Sequence, residues 1–268
     1  MKNFPIEEIR TACSEKQNQI LDLYLQRKKQ KEICEKLGVK RGNIDLLVKK
    51  FNLTRFRDRK NYCCTHVDKE DPLFWYFLGL FASDGNLYVC GGIDVVQFTM
   101  NDLDAIETIK TIVGYTGHTQ KYMKGGKIRY YLKISDSLLI RTIKEVFGND
   151  CYRKTFTIKY PCINTEDKQK MFLRGFIDGD GSYTKRNTTP FYNIKIYCAS
   201  TDFYTGLLNT LRSITSRVHS YKGKYIEISC IESVYKALKY IYSIHPNVGI
   251  QRKNLRAMQH IRNYELKI

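Results

Sequence analysis

The sequence predicts an α+β protein: two pseudo-symmetric αββαββα repeats packed through their first helices, preceded by a small all-α helix-turn-helix domain. Three observations carry this. The segment FLGLFASDGNLY at 77–88 returns as FLRGFIDGDGSY at 172–183, each an apolar, helix-like run closed by Asp-Gly, at Asp84-Gly85 and Asp180-Gly181. The same succession of helix-period and strand-period segments follows each copy, and such a duplicated order marks an internal repeat. Residues 1–60, ahead of both, carry helical periodicity alone. The expected domains are 1–60, 61–150 and 151–268.

The helical stretch comes first. Residues 17–26 hold Ile20, Leu21, Leu23 and Leu25. In residues 30–53, Ile33 and Leu37 share one helix face, and Gly38 stands where a helix stops and turns. Asn43 is placed to cap a second helix whose core side holds Ile44, Leu46, Leu47 and Phe51. Lys40 and Arg41 stand at its start, and Lys49 and Lys50 lie along it. Two helices around a glycine turn make a helix-turn-helix candidate, with a plain helical hairpin as the alternative. Arg55, Arg57, Arg59 and Lys60 follow, either lying on phosphates or as a solvated connector.

The first repeat opens with Asp71-Pro72, a cap followed by a first-turn proline, and its helix runs to about Ser83. Strands at 87–90 and 93–100 flank Gly91-Gly92 as a hairpin. A capped helix is expected over 102–113, a second hairpin from 118–124 and 127–135 around Gly125-Gly126, and a helix over 136–147. In the last strand Ile128, Tyr130, Leu132 and Ile134 alternate with Lys127, Arg129 and Lys133. The second repeat has its motif helix at 165–179. Strands follow at 183–185 and 192–200, a helix at 202–214, strands at 217–222 and 225–230, and helices at 231–243 and 251–264.

Composition narrows the function. The 268 residues carry a formal charge of +18 with an ordinary 43% of hydrophobic residues, so the basic excess points to a polyanionic partner, nucleic acid first. The nine cysteines contain no CxxC pair, and Cys63, Cys64 and His66 lack a second ligand pair at zinc spacing. They read as reduced thiols, which agrees with a cytoplasmic or nucleoid-associated protein. The opening residues do not form a signal peptide, and the longest apolar run, 73–82, is too short to span a bilayer. A secreted or membrane-embedded protein is therefore not expected. The two ends also lack the terminal residues that protein splicing requires.

The repeated motif has its own physical logic. Gly79 and Ser83 are four apart, as are Gly175 and Gly179, and small residues at that spacing let two helix backbones approach. Close crossing sets Asp84 beside Asp180. Two adjacent carboxylates repel unless a cation lies between them, and hard divalent ions suit oxygen ligands: Mg²⁺ first, with Mn²⁺ or Ca²⁺ able to stand in. The carbonyls of Ser83 and Gly179 at the helix ends are expected to be free acceptors.

On these residues the chain resembles the LAGLIDADG homing endonucleases in their single-chain, two-motif form. Phe77 to Gly85 and Leu173 to Gly181 lie along the nine motif positions. Ala82 replaces the family's first acid in copy one, whereas Asp178 keeps it in copy two; Leu78 and Arg174 replace a small residue. The resemblance implies a DNA endonuclease whose metal is held by Asp84 and Asp180, with the Ser83 and Gly179 carbonyls joining the metal shell. It also implies a basic residue in each half, for which Lys154 and Lys253 are the candidates, with Arg153 and Arg252 beside them. One acid per half predicts a double-strand break by a monomer. The outward strand residues Lys127, Arg129, Lys133, Lys185, Lys195, Lys222 and Lys224, interleaved with Tyr130, Tyr131, Tyr192 and Tyr197, are expected on the DNA. Lys40, Arg41, Lys49, Lys50, Arg55 and Arg57 would lengthen the contact. A DNA-binding regulator and an RNA-binding intron maturase are the competing readings, and the residues alone do not separate DNA from RNA.

Overall fold

The computed structural model describes residues 6–25, 28, 30–51, 63–148, 151–152, 154–185, 189–221 and 225–267. Arg55, Arg57, Arg153, Lys222 and Lys224 lie outside the described residues. The chain forms two compact units, residues 1–61 and 62–268.

The smaller unit contains α1 (Ile6–Thr11), α2 (Glu15–Leu25), α3 (Gln30–Leu37) and α4 (Arg41–Lys50). Ile20, Tyr24, Ile33, Ile44 and Val48 close on one another, and Ile9, Leu21, Leu47 and Phe51 form a second cluster. Gly38 turns the chain between α3 and α4 with φ +61°, a left-handed conformation that glycine adopts without strain. Two details depart from expectation. Helix α4 starts at Arg41 with Lys40 as an extended N-cap, so Asn43 lies inside the helix and does not cap it. Leu46 is 68% exposed, and Val48 takes the core place assigned to it. The reason is helical spacing: Ile44, Leu47, Val48 and Phe51 are one stripe at i, i+3, i+4 and i+7, and position 46 falls off it.

The larger unit begins with α5 (Pro72–Asp84), β1 (Gly85–Cys90), β2 (Ile93–Met100), α6 (Leu103–Val113), β3 (Gln120–Lys124), β4 (Lys127–Ile134) and α7 (Ser137–Phe147). It repeats that order with α9 (Glu166–Asp180), β5 (Gly181–Lys185), β6 (Tyr192–Tyr197), α10 (Thr201–Ile214), β7 (Val218–Tyr221), β8 (Tyr225–Ile228) and α11 (Ile231–Ile241), and adds α12 (Gln251–Glu265). A short α8 (Lys154–Thr157), not expected from the sequence, lies between the halves. Asp71 caps α5 by accepting from the Leu73 amide at 2.8 Å, and Asp136 caps α7 through Leu139 at 2.9 Å.

Each half makes one antiparallel sheet, ordered β1-β2-β4-β3 and β5-β6-β8-β7. Val96, Phe98, Leu132 and Ile134 fill the inner face of the first sheet, and Ile194, Ile196, Ile226 and Ile228 fill that of the second. Helix α5 is buried on all sides from Phe74 to Ala82, because one face meets its own half and another meets α9. Among the described residues, no helix is long and apolar enough to cross a membrane.

Candidate active site

The site is built from the crossing of α5 and α9. At the crossing the backbones touch. A Cβ on Gly79 would strike the Phe172 carbonyl and lie 2.8 Å from the Phe176 amide nitrogen; one on Gly175 would strike the Tyr76 carbonyl and lie 2.9 Å from the Leu80 nitrogen. One turn further on, a Cβ on Gly179 would collide with the Ser83 hydroxyl and lie 3.0 Å from Asp84 Oδ2. The small residues thus set the approach, and the approach carries Asp84 against the end of the opposite helix.

Both helices stop at their aspartate without a left-handed cap. Gly85 and Gly181 are extended, with φ −71° and −83°, and lead directly into β1 and β5. Glycine is needed there for room: a side chain on Gly85 would press on the Phe81 backbone, and one on Gly181 on that of Ile177.

Asp84 is exposed on the open side of the junction and Asp180 is half-buried. Burial raises the Asp180 carboxyl to about 6, with repulsion from Asp84 adding to the rise and Lys154 and Lys253 opposing it. Crowding by protein also raises Asp84, against the pull of the same two lysines. Among the described residues neither carboxylate accepts a hydrogen bond, and no cluster of three or more His, Cys, Asp or Glu is present. The donor set is therefore two underused carboxylates, which suits a hard cation that keeps most of its own water.

Lys154 caps the first motif helix, α5, and Lys253 the second, α9. Lys154 Nζ donates to the Ala82 carbonyl at 2.7 Å and to the Ser83 carbonyl. Lys253 Nζ, on a residue 3% exposed, shares its three protons among four carbonyls: Ile177 O at 2.9 Å, Asp178 O at 2.5 Å, Gly179 O at 3.2 Å and Gly181 O at 2.7 Å. A cation at the negative end of a helix dipole is favourable. Burial nonetheless lowers both ammonium groups to about 8. The Ser83 and Gly179 carbonyls are consequently not the free acceptors expected from the helix ends: each already receives a lysine proton. Arg252 is likewise engaged, in a two-pronged pair with Asp102 at 2.8 and 2.9 Å.

Sequence reasoning missed a buried polar network in the second half. Arg174 is fully buried and its guanidinium lies 4.2 Å over the Tyr242 ring. It donates to His245 O at 2.7 Å, Pro246 O at 3.0 Å, Asn254 Oδ1 at 3.1 Å and the Val248 carbonyl. Asp178, 1% exposed, accepts from the Tyr76 hydroxyl at 2.8 Å and the Ile250 amide at 3.1 Å. Arg174 and Asp178 are four apart inside an apolar run, so one helix face carries both; that spacing was the available signal.

Residues 167–241 match the family model described as a LAGLIDADG-like domain. The chain has the LAGLIDADG fold. The homing endonuclease I-WcaI bound to its DNA recognition sequence aligns with a TM-score of 0.51 at 13% identity, over 78% of this chain and 96% of that one. The meganuclease I-AabMI bound to uncleaved DNA aligns at 0.49 and 13%, over 74% and 92%, and I-DmoI in complex with DNA and Mn at 0.44 and 18%, over 65% and 98%. No curated protein sequence matches the chain.

The outer faces of the two LAGLIDADG sheets differ. In the first, pairing puts Tyr131 beside Thr99 and Gln120, Lys133 beside Gln97, Arg129 beside Tyr122 and Lys127 beside Lys124. Lys127, Arg129 and Lys133 thus share the outer face with Lys124, which the sequence reading omitted. In the second sheet Lys195 faces outward but pairs with Glu227 at 3.9 Å and lies over the Tyr225 ring. Lys185 departs from expectation: its register partner is Tyr192, which places it on the inner-face side with Tyr183 and Ile194, exposed only because the strand ends there. Tyr130 and Tyr192 also belong to the inner faces, leaving Tyr131 and Tyr197 outside. In the smaller unit Lys40, Arg41, Lys49 and Lys50 are all exposed.

Proposed function

We propose that the protein is a monomeric, site-specific homing endonuclease that hydrolyses one phosphodiester bond on each strand of a long DNA duplex. The observation that carries this reading is the backbone-to-backbone crossing at Gly79 and Gly175, which delivers one underused carboxylate from each half to a shared point. A site for structure alone would not leave two carboxylates crowded together with their charge forms disfavoured.

In this reading Asp84 and Asp180 hold a divalent cation, Mg²⁺ with Mn²⁺ or Ca²⁺ as substitutes, and Ser83 and Gly179 contribute carbonyl lone pairs left over from their lysine bonds. Bound there, such an ion lowers the pKa of water and offsets charge on the phosphate oxygens. The residues of the chain do the rest. Lys154 and Lys253 neutralise the helix ends and hold positive charge beside the carboxylates. Lys127, Arg129, Lys133 and Lys195 position the duplex, joined by Lys185, Lys222 and Lys224. Lys40, Arg41, Lys49 and Lys50, with Arg55 and Arg57, extend the contact along the phosphates. In each cut the water oxygen bonds to phosphorus, the bond to one deoxyribose oxygen breaks, that oxygen leaves with a proton, and the second water proton is released.

The test is selection of cut duplexes from a randomised library with Mg²⁺. Wild-type protein should yield one long target. Asp84→Asn and Asp180→Asn should each lower cleavage by about a thousandfold or more while still binding that target. Binding without any cutting by the wild type would favour a DNA-binding regulator, and preferential retention of structured RNA would favour a maturase.

A further inference from the structure

Granting the endonuclease reading, we propose that the two pseudo-equivalent lysines have different jobs: Lys154 meets the DNA, and Lys253 is a positioning residue. The deciding observation is donor count. An ammonium group has three protons. Lys253 Nζ lies within bonding distance of four backbone carbonyls, those of Ile177, Asp178, Gly179 and Gly181, and is buried. Nothing is left with which to meet a phosphate. Lys154 serves two carbonyls, so among the described residues one of its protons is uncommitted.

The surroundings agree. Lys154 begins the short α8, where Thr155, Phe156 and Thr157 are all exposed, and it lines a recess of about 270 Å³ together with Asp180, Ser83 and Cys198. Lys253 sits in the first turn of α12, which is pinned on both sides. The Ile250 amide is bound by Asp178, the Gln251 amide by Asp104 at 2.7 Å, and Arg252 by Asp102. Arg174 grips the carbonyls of Ile244, His245, Pro246 and Val248, and Gly249, at φ +114°, lies so close to Asp178 that a side chain would collide with it. Lys253 cannot swing out without breaking this set. Leu78 and Ala82, the apolar counterparts of Arg174 and Asp178, give Lys154 no such clamp.

It follows that the strands are cut by unequal machinery, with the strand served by Lys154 cut faster and a nicked duplex accumulating. Two measurements test this. Acetylation of the intact protein with acetic anhydride, read by mass spectrometry, should modify Lys154 at least about tenfold faster than Lys253, and bound duplex should protect Lys154; equal rates, or faster reaction at Lys253, would overturn the assignment. Strand-resolved cleavage of the selected target should then show Lys154→Met slowing one strand far more than the other. Lys253→Met should slow both together and lower the melting temperature more than Lys154→Met does. Mirror-image, strand-specific losses from the two variants, with matched melting temperatures, would also overturn it. A wild type that never cuts defeats the endonuclease reading, while acetylation and melting still decide between the lysines.

Discussion

The two halves of the larger unit share an order of elements and a register of strands, yet bury different chemistry beside their motif helices. The first half places Leu78 and Ala82 where the second places Arg174 and Asp178. The lysine that caps its motif helix is half-open, whereas the one that caps the second motif helix is saturated and clamped. Its outer sheet carries four cations, whereas the described part of the second carries Lys195, with Glu227 beside it. What persists across the halves is what the helix crossing requires: glycine at the contact and aspartate at the end. What differs is everything that may vary without separating the helices, and an asymmetric DNA site would call for such divergence.

The comparison can be broken at its shared part first. Gly79→Val and Gly175→Val should be equally damaging, each costing about 4 kcal/mol or more, because each drives carbon into the opposite backbone. Urea denaturation measures this, and a tolerated change in either half would mean that the crossing is looser than its geometry implies.

The unshared part should respond unequally. Arg174→Met should cost about 3 kcal/mol, since it strands a row of carbonyls and leaves Lys253 alone to offset the charge of buried Asp178. Leu78→Met, at the matching place, should cost less than about 1.5 kcal/mol. Combining Arg174→Met with Asp178→Leu should cost less than the sum of the two singles, as members of one network are not additive.

The pH dependence sharpens the electrostatics. With its carboxyl raised from 3.8 to about 6, Asp180 keeps its proton in the folded chain over a window where the unfolded chain has lost it. Its contribution to stability is therefore present below about pH 4 and is lost as pH rises through 6. In the presence of a chelator, Asp180→Asn should flatten that decline and raise the melting temperature at neutral pH by a few degrees. Metal binding should strengthen over the same window as the carboxylate ionises. A profile unchanged by the substitution would remove Asp180 from the account.

The smallest expected effects lie on the sheets. Lys133→Ala or Arg129→Ala should lower the slope of log affinity against log salt by about one each. Lys195→Ala should change it less, because Glu227 already offsets that charge. Equal slopes for all three would erase the contrast between the sheets.

Much of this was legible in the sequence, for reasons of periodicity. Strand alternation, helix caps such as Asp71 and Asp136, and the doubled Gly-x-x-x-small runs are local signals, so the element order, the helix contact and the pairing of Asp84 with Asp180 could be read from them. Leu46, Lys185, Tyr130 and Tyr192 were misplaced because the face a residue occupies depends on where its helix or strand begins, and in a strand a shift of one residue reverses it.

The sequence by itself determined the duplication, the two acids and the basic surface, because each rests on spacing along one chain. Only the tertiary structure decided that Ser83 and Gly179 share their carbonyls with lysines, that Arg174 and Asp178 form a buried clamp, and that Lys154 and Lys253 are not equivalent. Those facts depend on how many donors and acceptors meet at one point in space, and the groups that meet there are some seventy residues apart in the chain.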